Sequence, residues 1–283
     1  GLKKSRHYLP LFPLAIEQFD FSTYDLIVSS SHCVAKGAKH SDSTYHLSYI
    51  YTPMRYVWDQ FGVYFRQPRT SWPVRIGAEL MRPYLQRWDN QSADRVDSFV
   101  SISHNVRRKV LKYYGRESQV VYPPVDLSYF SPRAQKENYY LMIGAFAPNK
   151  RVDLAVEAFN RLKLPLKIVG SGQDEEYCKK IAGDTIEFLG SLPDEELLKL
   201  YQNARAFVFP GEDDFGITPL EAQACHTPVI AFAAGGAMET ITENTGVFFG
   251  KQKVDELCDA VEKMERIHQD FAPQAFQRQT DRF

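Results

Sequence analysis

The sequence predicts an α/β protein of two domains, each built on a parallel sheet covered by helices. Three observations carry this. The chain has 283 residues, enough for two domains of ordinary size. From Tyr139 onward, short apolar runs alternate with stretches of helical period, as in strands that return parallel through a helical crossover. The phrase Phe209-Pro-Gly-Glu-Asp-Asp-Phe-Gly-Ile-Thr-Pro-Leu-Glu-Ala-Gln-Ala224 joins strand end, loop and helix start.

In chain order, the basic Lys3, Lys4 and Arg6 precede the apolar run Leu9 to Ile16, whose prolines bar a long helix before Leu14. This run reads as a packed connector, with an amphipathic patch as the alternative. Asp25 to Ser31 is a strand entering a polar loop. Tyr45 to Tyr51 is a second strand, and a helical start follows at Met54. Arg55 can reach a phosphate or pair with Asp59, and Trp58 reads as core. Val74 to Ala93 is a long helix that Pro83 should bend or break. Phe99 to Ser101 is a strand. Ser103 to Lys112 is a basic helix whose cations form a solvated face or meet a phosphate. Val120 to Val125 is a strand, and Asp126 to Pro132 a proline-bounded link. The domains are therefore placed at 1–132 and 133–283.

The second domain takes the strands Tyr139 to Ile143, Leu166 to Val169, Ile186 to Phe188, Ala206 to Phe209 and Val229 to Ala231. Helices are expected over Asp153 to Leu162, from Asp174, over Pro193 to Asn203, from Pro219, and through Glu239. Val254 to Gln269 is the last clear one. Gly144 opens the loop after the first of these strands. Gly170-Ser-Gly172 follows the second, without the third glycine of a dinucleotide fingerprint.

The acidic phrase concentrates the chemistry. Thr218 suits an N-cap, Pro219 the first helical position, and Glu221 the far end of a capping box. Phe215, Gly216, Ile217 and Thr218 would then present backbone N–H groups at a helix start, where anions bind. Asp213 and Glu221 flank that loop at the carboxyl end of a strand, where open α/β sheets hold ligands. Carboxylates accept from vicinal hydroxyls. The bland reading leaves Glu221 as a cap and Asp213 as a solvated acid. Lys150 and Arg151 lie at a helix N-terminus, where the dipole disfavours cations. Asp153 offsets this in part, and a phosphate would resolve it. The plain alternative is an exposed lysine.

Apolar residues make up 44% and charged residues 24%, as in a soluble globular protein, and the longest apolar runs are too short to span a bilayer. Cys33, Cys178, Cys225 and Cys258 are far apart and read as reduced thiols of a cytoplasmic protein. No His, Asp or Cys cluster suggests a metal. Residues 1–133 carry 18 Lys+Arg against 11 Asp+Glu, and the remainder 16 against 24. The basic first half suits anionic lipid or a phosphate-bearing acceptor, or is one of two unlike domain surfaces. No nucleic-acid partner is expected.

The phrase from Asp213 to Glu221, with Phe215-Gly216 inside it, resembles the acidic signature of family 4 retaining glycosyltransferases, although Asp213 stands where that signature has Glu. From Thr52-Pro-Met-Arg-Tyr-Val-Trp-Asp59 onward the chain is most similar to the mannosyltransferase-like branch. The resemblance implies the GT-B fold: two Rossmann-like domains with parallel sheets facing across a cleft. It implies Lys150 on the donor diphosphate, Asp213 on the sugar hydroxyls and Glu221 on the ribose. Gly144, Gly170, Phe188, Leu189, Phe215, Gly216, Ile217 and Thr218 would line the donor. Tyr51 stands at the reacting face, where the family has His. Tyr51 can hydrogen-bond but not titrate near neutrality, and its alternative role is a strand-end aromatic.

The resemblance also implies an Arg at Ala145, a Gly at His226, and a first strand with a Gly-rich loop. No such loop precedes Gly1, so the first domain is expected to lack that strand. The function expected is transfer of a hexose, mannose favoured, from a nucleotide-diphosphate sugar such as GDP-mannose to a glycan or polyprenyl-linked acceptor, with retention. No cofactor or metal is called for. The expected place is the cytoplasm, with peripheral contact at the inner face of the membrane. The rival is a degenerate GT-B protein that binds nucleotide or a protein partner without catalysis, and a weaker third reading is a nucleotide-sugar epimerase.

Overall fold

A computed structural model describes residues 5–68, 70–133 and 136–283. Lys3 and Lys4 of the basic opening lie outside the described residues. The chain divides into two compact units, Gly1–Tyr122 and Pro123–Phe283. The link after Tyr122 groups with the second unit, where the Phe130 ring packs edge-on against Tyr201 at 5.7 Å.

The first unit opens with a 3-10 turn, Ser5–Leu11, and α1, Phe12–Ile16. Then follow β1 (Leu26–Ser31), β2 (Tyr45–Ile50), α2 (Phe61–Phe65), α3 (Trp72–Gln91), β3 (Ser98–Ser101), α4 (His104–Tyr114) and β4 (Ser118–Val120). Among the described residues the sheet order is β1-β2-β3-β4, all parallel. Two expectations change here, and of the bend or break expected at Pro83 the break is excluded. The helical start at Met54 is a run of turns, and the helix begins at Phe61. The last strand ends at Val120, because Pro123-Pro124 cannot donate to a ladder. Pro83 sits inside α3 without ending it.

The inward face of this sheet mixes Ile50 and Phe99 with an unusual share of polar residues. Ser29, Ser31, His46, Ser48 and Ser101 are buried, while Leu26 and Val28 on the edge strand are 57% and 63% exposed. The imidazole is satisfied on both sides: His46 Nε2 lies 2.8 Å from Ser29 Oγ, and Nδ1 lies 3.0 Å from the Arg95 carbonyl, whereas Ser48 Oγ is buried without a hydrogen-bond partner among the described residues. Below the sheet, Lys36 is fully buried. Its ammonium lies 3.2 Å from Asp89 Oδ1 and donates to Ser92 Oγ at 2.6 Å. Asp89 Oδ2 accepts from Trp58 Nε1 at 2.7 Å and from the Tyr114 hydroxyl at 2.9 Å. Trp58 is thus a core residue, stacked on Tyr113 at 4.6 Å. Asp59 pairs with Lys109 at 2.5 Å.

The second unit alternates strand and helix throughout: β5 (Tyr140–Ile143), α5 (Val152–Leu162), β6 (Leu166–Val169), α6 (Glu175–Ile181), β7 (Ile186–Gly190), α7 (Asp194–Asn203), β8 (Ala206–Phe209), α8 (Ile217–Ala224), β9 (Val229–Phe232), α9 (Ala237–Thr240), β10 (Gly246–Phe249), α10 (Val254–Ile267) and α11 (Pro273–Thr280). β10 and α11 were not anticipated. The strand order among the described residues is β10-β9-β8-β5-β6-β7, all parallel. Successive residues feed opposite faces: Tyr140 and Met142 enter one apolar core with α5 and α10, and Tyr139 and Leu141 enter another with α7 and α8. The order reverses between β5 and β8. That is the topological switch point, and in open α/β sheets the crevice at the carboxyl ends of such strands holds ligands.

Just beyond the Cys225 C-cap of α8, His226 takes a left-handed φ of 52°. Gly suits such a position better than His. The ring is held flat against Phe276, with centroids 5.6 Å apart.

Candidate functional site

β5 and β8 deliver two loops to the switch point. The β5 loop ends in a 3-10 turn, Pro148–Lys150, and Arg151 follows at φ 52° as the N-cap of α5. Arg151, rather than Lys150, holds the terminal position, and Asp153 pairs with it at 3.1 Å. After β8 the chain passes Gly211. A Cβ there would lie 2.4 Å from the Asn149 carbonyl and 2.6 Å from Lys150 Cα, so only glycine lets the loops touch. The Glu212 N–H then donates to the Asn149 carbonyl at 3.1 Å.

This contact brings together two residues 63 positions apart. The Lys150 ammonium forms an ion pair with Asp213 Oδ2, and it lies 5.7 Å from the centre of the Phe209 ring. Lys150 is 23% exposed and Asp213 20%, so both remain open to a ligand. A third loop, after β9, holds Asp213 from behind: the Gly236 N–H donates to its carbonyl at 2.8 Å. A Cβ on Gly236 would lie 2.3 Å from Phe215 Cα.

The glycines after β5 and β6 are joined as closely. Gly170, at φ 130°, would place a Cβ 2.0 Å from the Gly144 carbonyl, and its N–H donates to Gly190 at 2.7 Å. Gly144, Gly170, Lys150, Asp213, Phe215 and Gly216 therefore gather at the carboxyl ends of β5, β6 and β8. Phe188 and Leu189 lie farther along the sheet, within β7. The Phe188 ring is 6.0 Å from Phe146, and Leu189 packs against the opposite core. Tyr51 belongs to the first unit. Its phenolic oxygen accepts from Ser30 Oγ at 2.7 Å, its ring meets Tyr49 edge-on at 5.5 Å, and it is 36% exposed.

The helix start corrects the expected capping box. α8 begins at Ile217, and Gly216 is its N-cap, with φ 102° and no side-chain cap bond. Glycine reaches this left-handed geometry freely, so the helix starts one step before Thr218 can cap it. Thr218 is inside the first turn. Pro219 falls third, where an N–H would be unpaired in any case. Ile217 is 42% exposed at the mouth of the turn. Released from capping, Glu221 accepts at Oε2 from the Tyr201 hydroxyl at 2.7 Å. Burial raises the Glu221 carboxyl pKa, against the lowering effect of that hydrogen bond. Tyr201 is itself buried, and burial pushes its pKa well above the ordinary tyrosine value. Sequence reasoning missed Tyr201, which lies 20 residues from Glu221 on the preceding helix. It also missed Gly211 and Gly236 as contact points; the Pro-Gly and Gly-Gly pairs marked the turns but not what they touch.

At the position where the resemblance implies an arginine, Ala145 is exposed. Among the described residues no group of His, Cys, Asp or Glu could hold a metal ion, and no helix is long and apolar enough to cross a membrane.

The chain is similar to known proteins in sequence and in fold. It is 28% identical over 163 residues to the O-antigen chain mannosyltransferase RfbU of Salmonella typhimurium, covering 53% of this chain and 46% of that protein. It is 37% identical over 105 residues to the GDP-mannose-dependent monoacylated alpha-(1-6)-phosphatidylinositol monomannoside mannosyltransferase of Corynebacterium glutamicum, covering 33% and 28%. These matches span less than half the length of either relative. The sucrose-phosphate synthase of Thermosynechococcus elongatus superposes with a TM-score of 0.73 at 20% identity, covering 99% of this chain and 74% of that one, so the fold is of the GT-B type. The family model described as glycosyl transferases group 1 matches residues 128–277, which take in the loops after β5, β8 and β9, and the chain belongs to that family.

Proposed function

We propose that the chain transfers a hexose, mannose in the first instance, from a nucleoside-diphosphate sugar to a glycan or lipid-linked acceptor with retention of anomeric configuration. The observation that carries the reading is the meeting of Lys150 with Asp213 at the switch point. A cation in a half-buried crevice suits the diphosphate whose negative charge grows as the glycosidic bond breaks. Backbone N–H groups from Gly216 to Thr218 and the closely packed Gly144 and Gly170 leave room for that group without side chains in the way. Asp213, beside the ammonium, would accept from the sugar hydroxyls, and Glu221, one turn into α8, from the ribose. Phe188 and Leu189 would lie toward the base, and Tyr51 toward the acceptor. Support comes from the family, and from relatives that are named mannosyltransferases. Release of nucleoside diphosphate from GDP-, UDP- and ADP-sugars, with the product anomer read by NMR, tests the reading. Absence of both binding and turnover with every donor would overturn it.

Glu221→Gln gives a second test. A carboxyl whose folded pKa is raised above 4.5 stabilises the fold fully below that value, and the contribution is lost as pH rises through the folded pKa. Gln mimics the protonated form, and its carbonyl can still accept from Tyr201. The melting temperature of the variant is therefore expected to match the wild type near about pH 4 and to exceed it at neutral pH. Nucleotide affinity is expected to fall, since one ribose hydroxyl loses its charged acceptor. Unchanged affinity in calorimetry would remove Glu221 from the donor site.

A further inference from the structure

We propose that the outward face of α3 is a docking surface for an anionic lipid bilayer. A surface helix normally turns polar residues to solvent. α3 turns apolar residues both inward and outward. Its buried side chains are Leu85 and Asp89, with Met81 and Trp88 half-buried beside them. On the opposite side, Trp72, Ile76, Leu80 and Tyr84 recur every fourth residue and are 74%, 39%, 73% and 40% exposed. Four residues advance a helix by slightly more than one turn, so they form one stripe, ~18 Å long at 1.5 Å per residue. The whole run from Ser71 to Gly77 is exposed, so the stripe begins on a part of the helix that stands clear of the unit.

Charge selects the occupant. Residues 1–122 hold 17 Lys+Arg against 10 Asp+Glu. Both acids of α3 are engaged within the unit: Glu79 pairs with Arg66 at 2.8 Å, and Asp89 with buried Lys36. Arg75 and Arg87 are exposed along the stripe, and Arg108 and Lys112 are exposed on α4, which meets the end of α3 through Tyr114 and Asp89. An apolar stripe with Trp and Tyr, bordered by arginines, matches a helix that lies in the plane of a membrane interface. A second copy docked on the same face would bring two basic surfaces together, which disfavours self-pairing. This inference stands apart from the donor site, and its failure would leave the glycosyl-transfer reading untouched.

Vesicle co-sedimentation tests it with the wild-type chain, Trp72→Gln/Leu80→Gln and Arg75→Glu/Arg87→Glu. The wild type is expected on mixed phosphatidylcholine–phosphatidylglycerol vesicles and not on phosphatidylcholine alone, with release at high salt. The Trp72→Gln/Leu80→Gln variant is expected to bind at least about tenfold more weakly, because its stripe no longer inserts. The charge-reversed variant is expected to lose the preference for anionic vesicles. All four positions are exposed, so melting curves should match the wild type. Wild-type binding that is absent, or indifferent to lipid charge, would overturn the proposal. So would unchanged binding by the Trp72→Gln/Leu80→Gln variant. A concentration-dependent dimer that this variant abolishes would overturn it in favour of self-association.

Discussion

Lys150→Ala is expected to weaken nucleoside-diphosphate binding by about 1.5–3 kcal/mol, the range for a hydrogen bond to a charged group. Donor turnover should fall further, by roughly two to three orders of magnitude, because the same ammonium meets charge that grows in the transition state. The ion pair with Asp213 adds a second, opposite forecast. Under the proposed function, Asp213 and the incoming diphosphate would compete for one cation. Asp213→Asn leaves an amide of nearly the same shape and frees the ammonium, so free nucleoside diphosphate should bind as tightly as before or more tightly. Turnover of the complete donor should still fall, since the amide is a weaker acceptor for sugar hydroxyls. Calorimetry with the diphosphate, set beside steady-state rates, separates the two variants. Equal loss of affinity in both would mean that Asp213 supports the diphosphate rather than competing with it.

The largest loss of stability is expected from Lys36→Met. The ammonium is buried against Asp89, and burial pulls its pKa down while Asp89 offsets part of that. Removing one partner of a buried pair leaves an uncompensated charge, at a cost of about 3–5 kcal/mol. Here Asp89 would keep its bonds from Trp58 and Tyr114 but lose its counter-ion. Lys36→Met with Asp89→Leu should recover much of the loss, because an apolar pair removes both desolvation penalties. The loss should appear in the first unit alone. Hydrogen exchange along α3 and α4 is therefore a better readout than one melting temperature, since two units need not unfold together. Unchanged protection in Lys36→Met would show that the pair contributes nothing.

Much of the second unit was legible because its strands are short apolar runs buried on both faces, set between helices of clear period. β10 escaped notice: Gly246 to Phe249 follows a polar turn and offers a short run. α11 begins at a proline beyond the last strong helix. In the first unit the edge strand inverts the usual pattern, with Ser29 and Ser31 inward and Leu26 and Val28 outward, and β2 adds a buried histidine and serine beside Ile50. Alternation located β1 and β2 but could not say which face was core. At the site, the acidic loop announced itself through Gly216 and its carboxylates. The cap was misread because Gly216 turns into a left-handed geometry that composition does not display. The Lys150–Asp213 pair lay beyond local reasoning, since it exists only because β5 and β8 are neighbours in a sheet whose order reverses there.

The close approach of backbones at Gly211 and Gly236 also sets what the gene can tolerate. Every missense change reachable from a glycine codon by one nucleotide adds a Cβ. At these two positions that atom would meet backbone, which has no rotamer by which to withdraw. Conservative and radical replacements should therefore fail alike, Ala as surely as Arg. In a saturation library selected for nucleotide binding, both codons should tolerate synonymous changes only. Gly62 and Gly77, where an added Cβ would meet nothing within 4 Å, should accept Ala freely. Survival of Ala at Gly211 or Gly236 would mean that the loops can part without losing the site.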